Sequence, residues 1–258
     1  MNKLLPALVI PALTLLLGAC TQPTTPPVAT FTALHARVQG QEALTGDGAA
    51  HVQLLPSNSV TGTAPLATAQ VGSDGTFTLK LATAAKVNPY LQAMPTPPAD
   101  RTCSGTVRAT PSTARQTLID SLNLTNTGGV QALMSTTPMI RKQNSDGSVS
   151  ATYTTNVLFY TDVPTRLAGS QTCTEAEYTL VSEADLNLQA GWNLVSIVST
   201  GIGYLDGRVA LMDKFIQGTT AATVWTAAGT DGPATAQSVS AVNVLKELRS
   251  HSTFFHRN

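Results

Sequence analysis

The side chains best equipped for chemistry in this chain are three cysteines, four histidines and one cluster of carboxylates, and their spacing limits what they can do. Cys103 and Cys173 form no Cys-x-x-Cys pair and have no histidine close by, so a dithiol redox centre or a zinc site is not indicated. His35, His51, His251 and His256 include no His-x-His pair, and a protein metal site needs several such ligands to converge. Alternation turns His35 and His51 away from the core, and the other two belong to a polar C-terminal tail. Glu175, Glu177, Glu183 and Asp185 are the densest acidic group. Paired carboxylates can hydrolyse glycosides, but this set reads more simply as a solvated strand edge that discourages edge-to-edge pairing. No Gly-x-Ser-x-Gly elbow occurs, and Gly201-Ile202-Gly203 lacks the third glycine and following helix of a nucleotide site, so it reads as a turn. Trp192 and Trp225 are able to stack on sugars, yet in alternating β segments such residues belong to the core. No catalytic residue, metal ligand or cofactor site is therefore assigned, and a non-enzymatic protein is expected.

Cys20 stands in a different context. Met1-Asn2-Lys3 makes a short positive start, Leu4 to Leu17 an apolar run, and Gly18-Ala19 a pair of small residues, which together read as an export signal over residues 1–19. Pro6 and Pro11 would damage a stable buried helix, and the run is too short for a membrane span. Leu17-Gly18-Ala19-Cys20 resembles the lipobox of bacterial lipoproteins. That resemblance implies a diacylglycerol thioether on Cys20, cleavage just before it, and acylation of the new amino group with a palmitate-type chain. The membrane is then a partner through the covalent lipid on Cys20. At ~0.8 kcal/mol per buried CH₂, two or three chains anchor a protein almost permanently where one does not. Thr21 is similar to the following residue of exported lipoproteins not retained at the inner membrane, which implies the outer membrane or cell surface. Residues 20–30, with the uncharged run TQPTTPPVAT, read as an extended tether.

Composition narrows the remaining classes. Charged residues are 12%, about half of the ~25% usual for soluble domains, and the formal net charge is zero. Nothing in that balance attracts nucleic acid, so no nucleic-acid partner is expected.

The elements that must position these side chains are strands. Leu34, Ala36 and Val38; Ala50, Val52 and Leu54; and Phe77, Leu79 and Leu81 each alternate with polar residues, and a further strand fits Ala67 to Val71. Ser73-Asp74-Gly75 gives a tight turn into the strand at Phe77. Residues 88–101, rich in proline, suit neither strand nor helix. Beyond them Met139 to Gln143, the turn Asn144-Ser145-Asp146-Gly147 and Val149 to Tyr160 predict a hairpin with Val149, Ala151, Tyr153, Val157 and Phe159 on its buried face. Ser150, Thr152, Thr154 and Asn156 should meet water. Arg115 to Leu124 is read as strand. Tyr178 to Val181, Asp185 to Leu188 and Trp192 to Val198 continue the pattern, the last two joined as a hairpin across Gln189-Ala190-Gly191. Val239, Val242, Leu245 and Leu248 predict one short C-terminal helix over residues 236–249.

The stretch ARVQG…AAHVQLL…ATAQVGSDGTFTLKL is similar to the carboxypeptidase-regulatory or transthyretin-like β-sandwich modules of secreted proteins, and LQAGWNLVS resembles a hairpin of bacterial surface β-sandwiches. Both resemblances imply architecture only. The expected fold is all-β: an antiparallel β-sandwich, one large or two small and packed together, with at most that one helix. Its regions are an N-terminal β region at 31–85, a proline-rich crossover at 86–102, a second β region at 103–250 and a polar tail at 251–258. The four N-terminal strands bury too little alone and should pack against later ones. Export places Cys103 and Cys173 where thiols pair, so a disulfide between them is expected. The functional expectation is a lipid-anchored envelope module that is structural, adhesive or ligand-presenting, its envelope protein or glycan partner unnamed. The alternatives are an envelope hydrolase or metal-dependent enzyme assembled from distant loops, and a small-ligand or glycan binder marked by exposed Trp192, Trp225 or Tyr160.

Overall fold

A computed structural model describes residues 31–39, 50–56, 63–93, 102–126, 129–175, 178–218 and 223–227. The N-terminal strands β1 (Ala33–Gln39), β2 (His51–Leu54), β3 (Ala67–Gln70) and β4 (Thr76–Lys80) fall where alternation places them. One helical turn, α1 (Ala84–Val87), passes straight into a 3-10 turn at Asn88–Tyr90. Pro89 sits in the first turn of that 3-10 segment, where its missing N–H costs nothing, and Val87 is fully buried. This is the helical segment among the described residues, and the helix expected over 236–249 lies outside them.

The remaining elements are β5 (Gln92–Ala93), β6 (Thr102–Thr110), β7 (Arg115–Ile119), β8 (Ser121–Asn126), β9 (Gly129–Thr136), β10 (Ile140–Gln143), β11 (Val149–Thr161), β12 (Thr165–Glu175), β13 (Tyr178–Leu188), β14 (Gly191–Gly203), β15 (Val209–Gln217) and β16 (Thr223–Ala227). The fold is all-β and sandwich-like, with an open sheet. Pairing is antiparallel except for two parallel pairs, β1 with β16 and β13 with β15.

The first sheet runs β4-β1-β16-β9-β8-β2-β3. Strands from late in the chain thus complete the N-terminal set. The second runs β6-β12-β13-β15-β14-β11, and the outer edge of β11 is shared along its length by β10, β9 and β7. Between β7 in the second sheet and β8 in the first lies only Asp120.

Two apolar clusters hold this arrangement, and β11 with β14 separates them. Leu158, Tyr160, Trp192 and Leu194 point to one side and join Leu34, Leu54, Leu79, Leu124, Leu133 and Trp225. Val157, Phe159 and Val195 point to the other and meet Leu118, Leu167, Leu186, Leu188 and Phe215. Each fully buried side chain of this kind contributes about 1.5–3 kcal/mol. This sharing corrects the expectation that the second face of β11 meets water. Ser150, Thr152, Thr154 and Asn156 are half-buried: Thr152 Oγ1 lies 3.0 Å from Thr200 Oγ1, Asn156 Nδ2 donates to Ser135 Oγ at 3.1 Å, and further along the same face Leu158 and Tyr160 join the first-sheet cluster.

The link from β13 to β14 is also not a hairpin. Both strands pair with β15, which returns between them, so Gln189 and Ala190 turn a corner where β15 has ended. Gly191 does take the positive φ, 97°, expected of it. Buried Asn193 clamps the corner: its Nδ2 donates to Gln189 O at 2.9 Å and its Oδ1 accepts from Gln189 N at 2.9 Å. β13 is one continuous strand through Tyr178–Leu188, and Gly201–Gly203 ends strand β14 instead of forming a turn.

Three tight turns share one chemistry. Asp74, Asp146 and Asp206 each precede a glycine, and each carboxylate accepts the backbone N–H two residues on, from Thr76, Ser148 and Arg208 at 3.0, 3.0 and 3.1 Å.

Candidate functional site

Strand register gathers polar side chains where the sequence showed none. Tyr153 stands opposite Ser199, Ser199 opposite Asp213, Asp213 beside Ser182, and Ser182 opposite Gln171, one row across five strands. The row occupies the same inner face as Val157, Ile197, Phe215, Ala184 and Leu167. Leu211 lies on its other side along β15. Asp213 is only 7% exposed and Gln171 3%, and Ser199 Oγ donates to Asp213 Oδ1 at 2.7 Å. A serine bound to a carboxylate is not thereby a nucleophile, since a carboxylate is too weak a base to take the hydroxyl proton at neutral pH. What the row supplies is buried hydroxyl, amide and carboxyl groups in a mostly apolar setting.

Cys103 and Cys173 flank this face. They stand directly opposite each other on β6 and β12, with Cα atoms 4.1 Å apart, and are joined as a disulfide. Gly105 and Gly169 on the same two strands have φ of 74° and 128°, and a Cβ on either would strike the carbonyl of Ser170 or Thr106. The two strands therefore approach as only glycine permits.

The other sequence-derived candidates do not converge. Exposed His35 places Nδ1 3.0 Å from Thr78 Oγ1, while His51 lies on β2, across β16, β9 and β8 in the sheet order. His251, His256, Cys20 and Glu177 lie outside the described residues. Glu183 and Asp185 do not mark a sheet edge, because β13 is flanked on both sides by β12 and β15. They face outward, and Asp185 pairs with Arg166 at 3.3 Å. Trp192, Trp225 and Tyr160 are buried: Trp192 Nε1 donates to Ala82 O at 2.8 Å and its ring meets Tyr160 edge-on at 5.2 Å. None of these rings offers an exposed stacking surface. Among the described residues no three His, Cys, Asp or Glu are grouped to hold a metal ion.

Titration behaviour follows local contacts. Burial, then the charge of Asp162, raises the Tyr160 hydroxyl above its ordinary value. Partial burial pushes Asp162 upward, but the Arg115 backbone and guanidinium donors outweigh it and hold the carboxyl below the usual range. Sequence reasoning missed the polar row, although one signal was present: Asp213 falls between Leu211 and Phe215 on the apolar phase of VALMDKFIQ.

Fold and site together define an open, sandwich-like β module of mixed antiparallel and parallel pairing, with a disulfide across its β6–β12 ladder. No protein-family model, curated protein or solved structure matches the chain.

Proposed function

We propose that this chain is a lipid-anchored protein of the bacterial cell envelope, a non-enzymatic β module that is structural, adhesive or ligand-presenting. One observation carries the reading: Cys20 closes an export-type leader at Leu17-Gly18-Ala19-Cys20 and is followed by an uncharged, proline-rich run. The Cys103–Cys173 disulfide supports it, because such bonds persist in the oxidising compartments to which an export signal leads. The reading assigns attachment to the lipid on Cys20; among the described residues no helix is long and apolar enough to cross a membrane. Thr21 favours the outer membrane or cell surface over the inner membrane. Its partners are the membrane and an envelope protein or glycan held by the domain at the end of the tether.

Mass spectrometry of the membrane fraction tests this. The expected mature N-terminus is Cys20 carrying diacylglycerol and an amide-linked acyl chain, and Cys20→Ser is expected to abolish lipid incorporation. A mature protein that begins elsewhere without lipid refutes the reading.

A further inference from the structure

We infer that the Cys103–Cys173 disulfide is a thiol-exchange site that opens in one direction: an incoming thiolate forms a mixed disulfide at Cys103, and Cys173 departs as the thiolate. This goes beyond the envelope reading and does not depend on the anchor. The first observation that sets the direction is a hydrogen bond on one sulfur. Gln171 Nε2 lies 3.3 Å from Cys173 Sγ, and a disulfide sulfur has no hydrogen to give, so the amide presents its NH₂ there. Gln171 is buried and shares a face of β12 with Cys173, so the strand itself holds the donor at that sulfur. Among the described residues no such donor meets Cys103 Sγ. A donor on sulfur favours the thiolate formed when the bond breaks, and a thiol of lower pKa leaves faster.

The second observation is access. Both cysteines are half-buried, but they stand on different kinds of strand. β6 is the outer strand of the second sheet and among the described residues pairs with β12 alone, whereas Cys173 on β12 lies between Cys103 of β6 and Leu180 of β13. A thiolate attacks a disulfide from the side away from the departing sulfur. For Cys103 that side is the open edge of β6, and for Cys173 it is the β13 side of the ladder. Hydrogen bond and access therefore select the same sulfur. The exchange balances without an external oxidant. The co-reactant is a low-molecular-weight thiol in its thiolate form: its sulfur bonds to Cys103 Sγ as the Cys103–Cys173 bond breaks, and the electron pair of that bond goes to Cys173 Sγ. Return attack by Cys173 on the mixed disulfide expels the thiol and restores the original bond, so the opened form has to be trapped to be seen.

The test exposes the folded, oxidised full chain to 2-mercaptoethanol in mildly alkaline buffer, quenches with iodoacetamide, and maps the singly opened protein by peptide mass spectrometry. The expected product carries mercaptoethanol on Cys103 and carbamidomethyl on Cys173, in about tenfold or greater excess over the reverse. The same reaction in denaturing urea, where Gln171 and the strand edge no longer act, is expected to give the two products in nearly equal amounts. Gln171→Met removes the donor at nearly constant volume, and with it the unpaired buried Gln171 Oε1, so the fold is expected to persist. In that variant the native-state ratio is expected to fall by about threefold or more, with slower opening. If Gln171→Met does not fold, the native ratio against the urea ratio decides. Equal products or an excess of the Cys173 adduct in the native protein, a native ratio no different from that in urea, a ratio unchanged in folded Gln171→Met, or a native bond that mercaptoethanol does not open overturns the inference.

Discussion

Breaking the Cys103–Cys173 bond by Cys103→Ser with Cys173→Ser is a perturbation whose size follows from the fold. The bond closes a loop with a sequence separation of 70, for which the chain-entropy relation gives about 4 kcal/mol at 25 °C. The native state gives back little of this, since β6 and β12 remain paired from Ser104 opposite Thr172 to Thr110 opposite Arg166. Serine oxygen at position 173 is also an acceptor for Gln171 Nε2, which now faces the sulfur. The expected loss is about 3–4 kcal/mol, a large part of the ~5–15 kcal/mol typical of a folded domain. Urea unfolding followed by fluorescence and circular dichroism reads it directly: the midpoint falls by 1 M or more at an m-value of about 2–3 kcal/mol/M. The m-value itself should rise, because the unfolded chain without its cross-link exposes more surface. A double variant within about 1 kcal/mol of the oxidised protein, with an unchanged m-value, refutes the reasoning. Membrane attachment is expected to be unaffected.

Trp225→Ala removes a fully buried ring from β16 at the cost of about 3–5 kcal/mol, offset by relief of its unpartnered Nε1, so about 2–4 kcal/mol is expected by urea denaturation. Trp225→Phe, which keeps much of the ring and removes the same orphan donor, should cost less than half as much. Gly169→Ala puts a Cβ against Thr106 O at a φ of 128° and is expected to lower stability by about 1–3 kcal/mol, measured by thermal melting. Asp74, Asp146 and Asp206 titrate below the ordinary 3.8: the Thr76 and Ser148 side chains, then their backbone N–H groups, hold the first two down, and the Arg208 backbone and then side chain hold the third. Their stabilisation is complete above pH 3.8 and disappears as pH falls through the lower folded-state values. Carboxyl NMR titrations should place all three midpoints below 3.8.

Local chemistry was legible in the sequence and non-local pairing was not. The strands β1, β2, β3, β4, β10 and β11 follow from alternation, and the turns at Asp74-Gly75 and Asp146-Gly147 from residue type, because both depend on neighbours a few positions away. Gln189-Ala190-Gly191 shows the limit. The glycine conformation is local, but what the turn joins depends on β15, which arrives later and separates the two strands. Leu158 and Tyr160, apolar on the phase assigned to water, were the signal that β11 has a covered second side. The polar row escaped notice because Tyr153, Ser199, Asp213, Ser182 and Gln171 come from five strands, and each alone is an ordinary break in an apolar phase. The disulfide was legible for a different reason: once Cys20 is assigned to the leader boundary, two cysteines have only one way to pair.

The parallel ladder between β1 and β16 also imposes an order of events. A chain delivered N-terminus first, from a ribosome or a translocation channel, presents β1 long before β16 emerges, yet Ala36 to Gln39 find their partners only in Thr223 to Thr226. Until then one edge of β1 stands open, and Trp225, which fills the middle of the first apolar cluster, is missing. Long-range pairing of this kind slows folding and keeps strand edges exposed to other chains meanwhile. A chain cut short before β16 would lack the strand that joins β1 to β9, and its first sheet would stand open at that seam.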